Sequence, residues 1–303
     1  THEALDSILD NLYQPQTEEL ELAQSLNCIL AEDIKASRDY PPFDRVCMDG
    51  IAVHHEALNK KRPIFFKKEK TQAAGEDISI LKDQHNCIEI MTGAILPKNT
   101  DSVIPYELLE KTDEGFVLND NYPAHRNIHK QGKDFKCNEI ILKKGHYIRS
   151  PEIAVLASEG YSRVKVYRKP KVAIISSGNE LVEIDKTPAQ HQIRMSNAYM
   201  LQAELDKLSF RSTRFHFNDN ENEIKKLMAE IFSDYELILI SGGVSKGKFD
   251  LIPKVLEQLG VRKEFHRVRQ KPGKPFWFGL NKSCTVFAFP GNPASSLLCY
   301  TLY

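Results

Sequence analysis

The chain has no excess of either charge. Its 303 residues include 41 Lys and Arg against 41 Asp and Glu, and the sequence pI is near 7.1. This balance gives no global electrostatic reason to bind nucleic acid or an acidic membrane surface. We therefore expect neither as a partner, and any anion site must be a local concentration of positive charge.

The sequence also lacks C-x-x-C pairs, tandem repeats and low-complexity tracts. Its six cysteines, at positions 28, 47, 87, 137, 284 and 299, are expected to be reduced thiols of a cytoplasmic protein. No apolar run approaches the roughly 20 residues of a membrane span. The pair His54-His55 has no third ligand at a metalloprotease-like spacing, so we interpret it as a surface feature.

Several kinds of local pattern follow one another along the chain. Apolar residues at helical spacing predict two opening helices, at 2–12 and 18–34. From about 48 to 126, short β-like runs separated by Gly, Asn and Asp indicate a compact β-rich unit. From about 168, strands and helices alternate, which predicts a parallel sheet with helices on both faces. The fold class is therefore α/β and multidomain.

Each predicted strand of the last part is followed by a turn that is rich in glycine or acids. These turns are SGNE (177–180), NDN with Asp219, SGGVSKG (241–247) and PGNPASS (290–296). Ligands bind at the carboxyl edge of open parallel sheets, so the four turns are expected to converge on one site. Taken alone, each of these sequences is more simply explained as an ordinary turn that contacts no ligand.

Two of these turns have features that suit an anion. Gly242-Gly243 allows close approach of the backbone and can form a nest of N–H groups. Pro293 fits the first position of a helix, and this predicts that the N–H groups of residues 294–296 are free to face a ligand.

In the stretch QKPGKPFWFG (270–279), Lys271 and Lys274 lie on either side of a Pro-Gly pair, and several further cations precede the stretch in the sequence. A solvated basic loop is the simple interpretation.

The converging turns also bring three acids, Glu180, Asp219 and Asp250, toward the same edge. Each could be an ordinary loop acid or helix cap, but together they indicate a divalent cation, and oxygen ligands point to Mg²⁺.

Six ordered blocks resemble one known family. They are CMDGIAV (47–53), EIMTGAILPKNTDSVIPYE (89–107), SSGNEL (176–181), SGGVSKGKFD (241–250), KPGKPFWFG (271–279) and FPGNPASS (289–296). Together they are similar to the molybdopterin molybdenumtransferases, including the related domain of gephyrin. The resemblance implies insertion of molybdenum, delivered as molybdate, into adenylylated molybdopterin, with Mg²⁺-dependent release of AMP. Both substrates are anions, which would explain the local cationic stretch.

The resemblance also implies roles for individual positions. The catalytic set would be Asp49, Thr92, Asp134, Glu180 and Asp219, with Glu180 and Asp219 as the metal ligands. The substrate-binding set would be Gly242, Gly243, Ser245, Asp250, Arg267, Lys271, Lys274, Pro290, Gly291, Asn292 and Ser295.

The same resemblance implies the domain boundaries. We expect an elongated α+β linker and dimerisation domain at 1–40 with 127–167, an inserted β-rich domain at 41–126, and a doubly wound, mostly parallel molybdopterin-binding domain at 168–303. The family's small C-terminal β domain is expected to be absent from this chain. Expected partners are a second subunit, so that the protein is a homodimer, and the adenylyltransferase that supplies the substrate.

Two other functions remain open. The α/β domain with its GGVS and PGNP turns also occurs alone in molybdopterin adenylyltransferases, although these have no use for the first 165 residues. The second alternative is a scaffold that binds molybdopterin without turnover. The residues Arg45-Val46-Cys47, where the family usually has Asn-Ser-Ala, motivate it.

Overall fold

A computed structural model of the protein describes residues 1–11, 13–244 and 251–303. Its α-helices are α1 His2–Leu9, α2 Ser150–Ser158, α3 Asn197–Lys207, α4 Glu221–Asp234, α5 Ile252–Gln258 and α6 Pro293–Leu302. Its first strands are β1 Thr17–Glu21, β2 Ile34–Lys35, β3 Arg45–Val46, β4 Gly50–Val53, β5 Ile64–Gln72, β6 Cys87–Ile90, β7 Ser102–Pro105, β8 Leu109–Lys111, β9 Gly115–Leu118 and β10 Ile128–His129. The remaining strands are β11 Ile140–Leu142, β12 Arg163–Tyr167, β13 Val172–Ser177, β14 Leu181–Val182, β15 Ile193–Arg194, β16 Ser212–Phe217, β17 Leu237–Ser241, β18 Arg262–His266, β19 Trp277–Leu280 and β20 Thr285–Phe289. Short 3₁₀ helices span Leu22–Gln24, His55–Asn59 and Tyr106–Leu108.

The chain divides into two compact units. One comprises Thr1–Ile29, Tyr147–Arg149 and Val164–Tyr303, and the other comprises Leu30–His146 and Ser150–Arg163. The boundaries of the linker, inserted and molybdopterin-binding domains stay a prediction.

The first unit contains a six-stranded sheet in the order β16-β13-β17-β20-β19-β18. The first four strands are parallel to one another, and β19 pairs antiparallel with both β20 and β18. Every residue of β13 is buried, as expected for a parallel strand covered on both faces. The predicted doubly wound, mostly parallel sheet is therefore confirmed.

Helices cover both faces of this sheet. On one face, α1, α3 and α6 contribute Ile8, Leu201 and Cys299 to a core that also holds Ile174 of β13. On the other face, α4 and α5 pack against β13 and β17 through residues that include Met228 and Val255. The alternation of strands and helices read from the sequence corresponds to these layers.

The second unit contains the β-rich sheet, in the order β7-β4-β6-β5-β9-β8. The pairs are antiparallel except for β5 and β6, which are parallel. Phe66 and Phe116 lie at its core, each at most 1% exposed. The β-like runs between 48 and 126 therefore form strands of one sheet, as predicted.

One predicted element is wrong. The segment 18–34 is not a helix, because Thr17–Glu21 forms β1 and pairs with β12. The apolar residues that suggested a helical face are divided, since Leu30 is fully buried while Leu26 and Ile29 are exposed. Pairing with a distant strand outweighs local spacing here.

The hairpin formed by β18 and β19 was also missed. No strand was predicted in the basic stretch 270–279, but its last residues, from Trp277, enter β19. Trp277 is fully buried in the core on the α4 and α5 face.

Among the residues that the structure describes, the helices are too short or too polar to span a membrane.

Candidate functional site

The site in the α/β unit lies where the direction of strand addition changes. After β13 the chain passes through α3 to β16 on one side, and then through α4 to β17 on the other. This reversal leaves a crevice beyond the carboxyl ends of β13 and β17, which is the usual ligand position in such sheets. The turn after β13 carries Glu180, a predicted metal ligand, and the turn after β17 carries Gly242 and Gly243, which are predicted to bind substrate.

A cavity of about 100 Å³ occupies this crevice. Its lining comprises Ser176, Ser177, Glu180, Leu181, Ile193, Arg194, Met195, Ser196, Asn197, Ser241, Gly242, Gly291 and Pro293. The structure therefore brings three of the predicted residues, Glu180, Gly242 and Gly291, to one place. They come from the turns after three different strands, so the predicted convergence is present for these turns.

Close packing requires glycine at position 242. Gly242 has a φ of +95°, and a Cβ there would lie 2.7 Å from the Ser177 carbonyl oxygen. A Cβ on Gly291 would lie 3.9 Å from the Cα of Gly242, so the two turns are in contact. The Gly242 N–H donates to the Phe289 carbonyl at 3.2 Å and is not free for an anion.

Asn197 was not identified from the sequence, yet it connects the two turns. Its side-chain amide donates to Ser241 Oγ at 2.7 Å and to the Gly291 carbonyl at 2.8 Å. Both hydrogens of Nδ2 are used, and Asn197 Oδ1 is buried without a partner among the described residues. The only sequence signal was its position at the start of a helix that follows the SGNE turn.

The two predicted metal ligands lie on neighbouring loops. Glu180 and Asp219 are both exposed, and the Asp219 N–H donates to Asn179 Oδ1 at 2.9 Å. Gly178 has a φ of +146°, and a Cβ there would collide with the Glu180 carboxylate. The carboxylate therefore lies directly against the backbone of Gly178. Two accessible carboxylates on linked loops fit the oxygen-donor set that Mg²⁺ prefers.

Two predicted substrate-binding residues, Ser245 and Asp250, lie outside the described residues. The remaining members of the GGVS and PGNP turns are placed. Gly243 has a φ of +68° and packs against Ile252 of α5. Pro290 is buried and Gly291 is exposed.

The start of α6 corrects part of the predicted anion site. Pro293 occupies the first turn, as predicted, and Asn292 is the N-cap. However, the Ser295 N–H donates to Asn292 Oδ1 at 3.2 Å and the Ser296 N–H to the Asn292 carbonyl at 2.9 Å. The Asn292 side chain caps the helix through the Ser295 N–H, and the Ser296 N–H makes the first backbone bond of the helix, so neither N–H group is free to face a ligand.

The basic stretch packs on α6. Gly273 is buried, and Cys299 Sγ lies 3.6 Å from its carbonyl oxygen. The Tyr303 hydroxyl donates to Gln270 Oε1 at 2.8 Å. Lys271, Lys274 and Arg267 are exposed, and none of the three belongs to the described lining of the cavity.

The second unit, Leu30–His146 with Ser150–Arg163, contains the other predicted residues and is called the β-rich unit from here on. Asp49, just before β4, accepts hydrogen bonds from Thr92 through the backbone N–H and through Oγ1, both at 2.7 Å. These two hydrogen bonds hold the pKa of Asp49 below its ordinary value, and the backbone bond contributes more than the hydroxyl bond. The MDG and MTGA blocks are therefore joined by the two residues to which the resemblance gave roles.

Asp134 belongs to a second polar chain in this unit. Its Oδ1 lies 2.9 Å from His129 Nε2, and His129 Nδ1 lies 3.2 Å from Nη2 of Arg45. A guanidinium can only donate, so Nδ1 accepts and Nε2 carries the hydrogen that Asp134 receives. His129 was not identified from the sequence, where it stood outside every motif.

The short strand β3 lies between these two groups. Arg45 and Val46 pair with His129 and Ile128 of β10. On the other side, the Val46 N–H donates to the Ala94 carbonyl at 3.0 Å, within the MTGA block. The structure thus brings Asp49, Thr92 and Asp134 around one short strand, while their catalytic roles remain predictions.

Comparison with known proteins agrees with this geometry. Residues 1–160 match the MoeA N-terminal region (domain I and II), and residues 173–303 match the probable molybdopterin binding domain. The chain is 41% identical over 283 residues to a molybdopterin molybdenumtransferase from Synechocystis sp., covering 91% of this chain and 72% of that protein. It is 34% identical to the protein of the same name from Haemophilus influenzae, covering 98% and 74%.

A solved structure supports the same relationship. The crystal structure of a molybdopterin biosynthesis moeA protein from Pyrococcus horikoshii OT3 superposes with a TM-score of 0.82 at 28% identity, covering 100% of this chain and 76% of that one. Matches over both units, in sequence and in fold, leave one conclusion. The chain belongs to the molybdopterin molybdenumtransferase family.

Proposed function

We propose that this protein inserts molybdenum, delivered as molybdate, into adenylylated molybdopterin, with Mg²⁺-dependent release of AMP. The observation that carries the proposal is the cavity at the switch point of the α/β sheet. There Glu180, Gly242 and Gly291 meet in a protein whose relatives are named molybdopterin molybdenumtransferase.

The described residues support a division of labour. The glycine turns allow the backbone to approach a pterin or phosphate group closely. Lys271 and Lys274 supply countercharge for pyrophosphate and molybdate on an otherwise neutral protein. Glu180 and Asp219 would hold Mg²⁺, which when bound would neutralise the pyrophosphate and polarise the bond to be cleaved. Asp49, held by Thr92, is an ionised acceptor above its lowered pKa.

A direct assay tests the proposal. Purified protein is incubated with adenylylated molybdopterin, Mg²⁺ and molybdate, and AMP is measured by chromatography. We expect AMP release that requires both ions. Binding of the pterin nucleotide with no AMP release would instead support a scaffold and would contradict transfer.

A second assay separates transfer from adenylylation. A fragment that begins near Arg168, given ATP and molybdopterin, would form adenylylated molybdopterin if the protein were an adenylyltransferase. We expect no such product from the fragment or from the full chain.

The proposal includes a homodimer that acts in the cytoplasm together with the adenylyltransferase that supplies its substrate. Six free cysteines are typical of a reducing compartment. Light scattering at micromolar protein concentration tests the dimer, and a mass equal to one chain would contradict it.

A further inference from the structure

A cluster of three histidines and one aspartate lies at the far end of β4 from Asp49. His54 and His55 follow directly after this strand, Asp101 precedes β7, and His125 lies in the loop before β10. None of the four has a role in the function proposed above. Sequence spacing gave no reason to join them, because the third and fourth residues are about 45 and 70 positions away.

The distances within the cluster suit a single metal ion. Ligand atoms of His54, His55 and Asp101 all lie within 4.8 Å of one another. His125 Nδ1 lies 3.8 Å from Asp101 Oδ2. Two ligand atoms on one tetrahedral zinc ion are about 3.4 Å apart. Rotation of the side chains of His54, His55 and Asp101 would bring these three groups into coordination range, and His125, which contacts Asp101 alone at this distance, would complete the site by turning toward them.

The three imidazoles also form a continuous group. The ring centroids of His54 and His55 are 4.5 Å apart, and those of His55 and His125 are 5.3 Å apart. The side chain of His125 is 64% exposed and that of His55 39% exposed. An ion can therefore reach the cluster from solvent.

Asp101 is held in place by groups that a metal would not displace. The His55 backbone N–H donates to Asp101 Oδ1 at 2.8 Å, and the Ser102 hydroxyl donates to the same oxygen at 3.0 Å. The His125 N–H donates in turn to Ser102 Oγ at 2.9 Å. Oδ2 makes a direct hydrogen bond to His55 Nδ1, and this is the contact that an ion would replace.

The donor types of the cluster also suit such an ion. A carboxylate together with imidazole nitrogens is a donor set for zinc and related ions, whereas Mg²⁺ prefers oxygen ligands alone.

We propose that His54, His55, Asp101 and His125 form a binding site for a divalent transition-metal ion of the Zn²⁺ type. The site is separate from the Mg²⁺ of the proposed reaction, and its existence does not depend on that reaction. An ion there would connect the end of β4, the start of β7 and the loop that carries His125. We therefore expect it to stabilise the β-rich unit.

The test uses full-length protein that carries no histidine tag and has been treated with a chelator. Zn²⁺ binding is measured by calorimetry, with Mg²⁺ as the comparison ion, and Co²⁺ is used to record the ligand-field spectrum. We expect one Zn²⁺ per chain, no matching heat with Mg²⁺, and a Co²⁺ spectrum typical of a four-coordinate site. Zn²⁺ should also raise the thermal midpoint, since a ligand that binds only the folded state stabilises it.

His125→Ala is the sharpest variant, because the exposed ring can be removed without losing the backbone bond to Ser102. We expect it, and His54→Ala, to weaken Zn²⁺ binding at least tenfold, and we expect the metal-free melting curve of His125→Ala to stay close to that of the parent. His85→Ala, which removes an exposed histidine outside the cluster, is the matched control and should bind normally.

Two results would overturn the proposal. One is the absence of stoichiometric Zn²⁺ binding. The other is binding that His54→Ala and His125→Ala leave unchanged, which would show adventitious binding elsewhere on the surface. If Asp101→Asn unfolds the protein, the two histidine variants still decide the question. AMP release is not needed as a readout, so failure here is distinguishable from failure of the transferase proposal.

Discussion

The side chain of Asn197 holds the carbonyl of Gly291 at 2.8 Å and so joins the start of α3 to the turn that follows β20. Asn197→Ala leaves this carbonyl and Ser241 Oγ without their donor. Ser241 is buried, and loss of the partner of a buried polar group costs about 1–3 kcal/mol, so we expect a lower free energy of unfolding in urea. We also expect weaker binding of the pterin nucleotide, because Gly242 and Gly291 would no longer be held together. Asn222→Ala, on the exposed face of α4, is the control. Unchanged stability and affinity would contradict this role.

Thr92 is expected to set the ionisation of Asp49. Its two hydrogen bonds lower the pKa of Asp49, so the carboxylate stays ionised until the pH falls through the lowered value. Thr92→Val removes the hydroxyl bond and keeps the backbone bond. The acidic limb of the activity profile should then move to higher pH, while Thr92→Ser leaves it in place. Identical profiles for Thr92→Val and the parent would show that Asp49 does not limit the reaction.

Glu180→Ala should abolish AMP release and leave binding of the pterin nucleotide nearly intact. The reason is that Glu180 is proposed to hold the metal, while the glycine turns hold the substrate. Asp185→Ala, an exposed acid five positions further along, should have no effect on either measurement. Equal loss of release and binding would mean that Glu180 contacts the substrate itself.

Glu89 should contribute to stability in a pH-dependent way. It is 7% exposed and accepts hydrogen bonds from Thr71 at 2.8 Å, from Tyr106 at 2.9 Å and from Lys68 at 3.1 Å. Burial raises its pKa, but these partners outweigh burial and lower it. A lowered pKa adds stability above the unfolded-state value, and this stability is lost as the pH falls through the folded-state value.

Glu89→Gln should therefore destabilise the protein by about 1–3 kcal/mol at pH 7, and the difference from the parent should shrink in acid. Urea unfolding at several pH values measures this. Glu107→Gln, an exposed residue of the same sequence block, serves as the control. A destabilisation that does not depend on pH would contradict the ionic explanation.

Thiol labelling should distinguish two classes of cysteine. Cys47 and Cys137 are exposed, and the other four are buried. Burial raises the pKa of Cys87 and Cys284 to about 12 and that of Cys299 to about 11. A thiol reagent at pH 8 should modify two groups in the native protein and six after denaturation. More than two fast groups in the folded protein would contradict the burial.

The α/β layers could be predicted from the sequence because buried parallel strands and their helices are contiguous segments with strong patterns. The segment 18–34 was wrongly predicted to be a helix, because its first residues pair with β12, more than 140 positions away. In the site, turns that follow strands could be located without knowing the packing, as Glu180, Gly242 and Gly291 show. Asn197 and His129 could not, since each has its role only through partners brought near by the fold.

The chain of hydrogen bonds from Arg45 through His129 to Asp134 has a further consequence. Arg45 never contacts Asp134, yet it decides which nitrogen of the intervening imidazole faces that carboxylate. A side chain at position 45 that accepted a hydrogen bond would favour the opposite tautomer and present Asp134 with a lone pair in place of a hydrogen. The identity of residue 45 therefore controls the polarity of the surroundings of an acid to which it is not bonded.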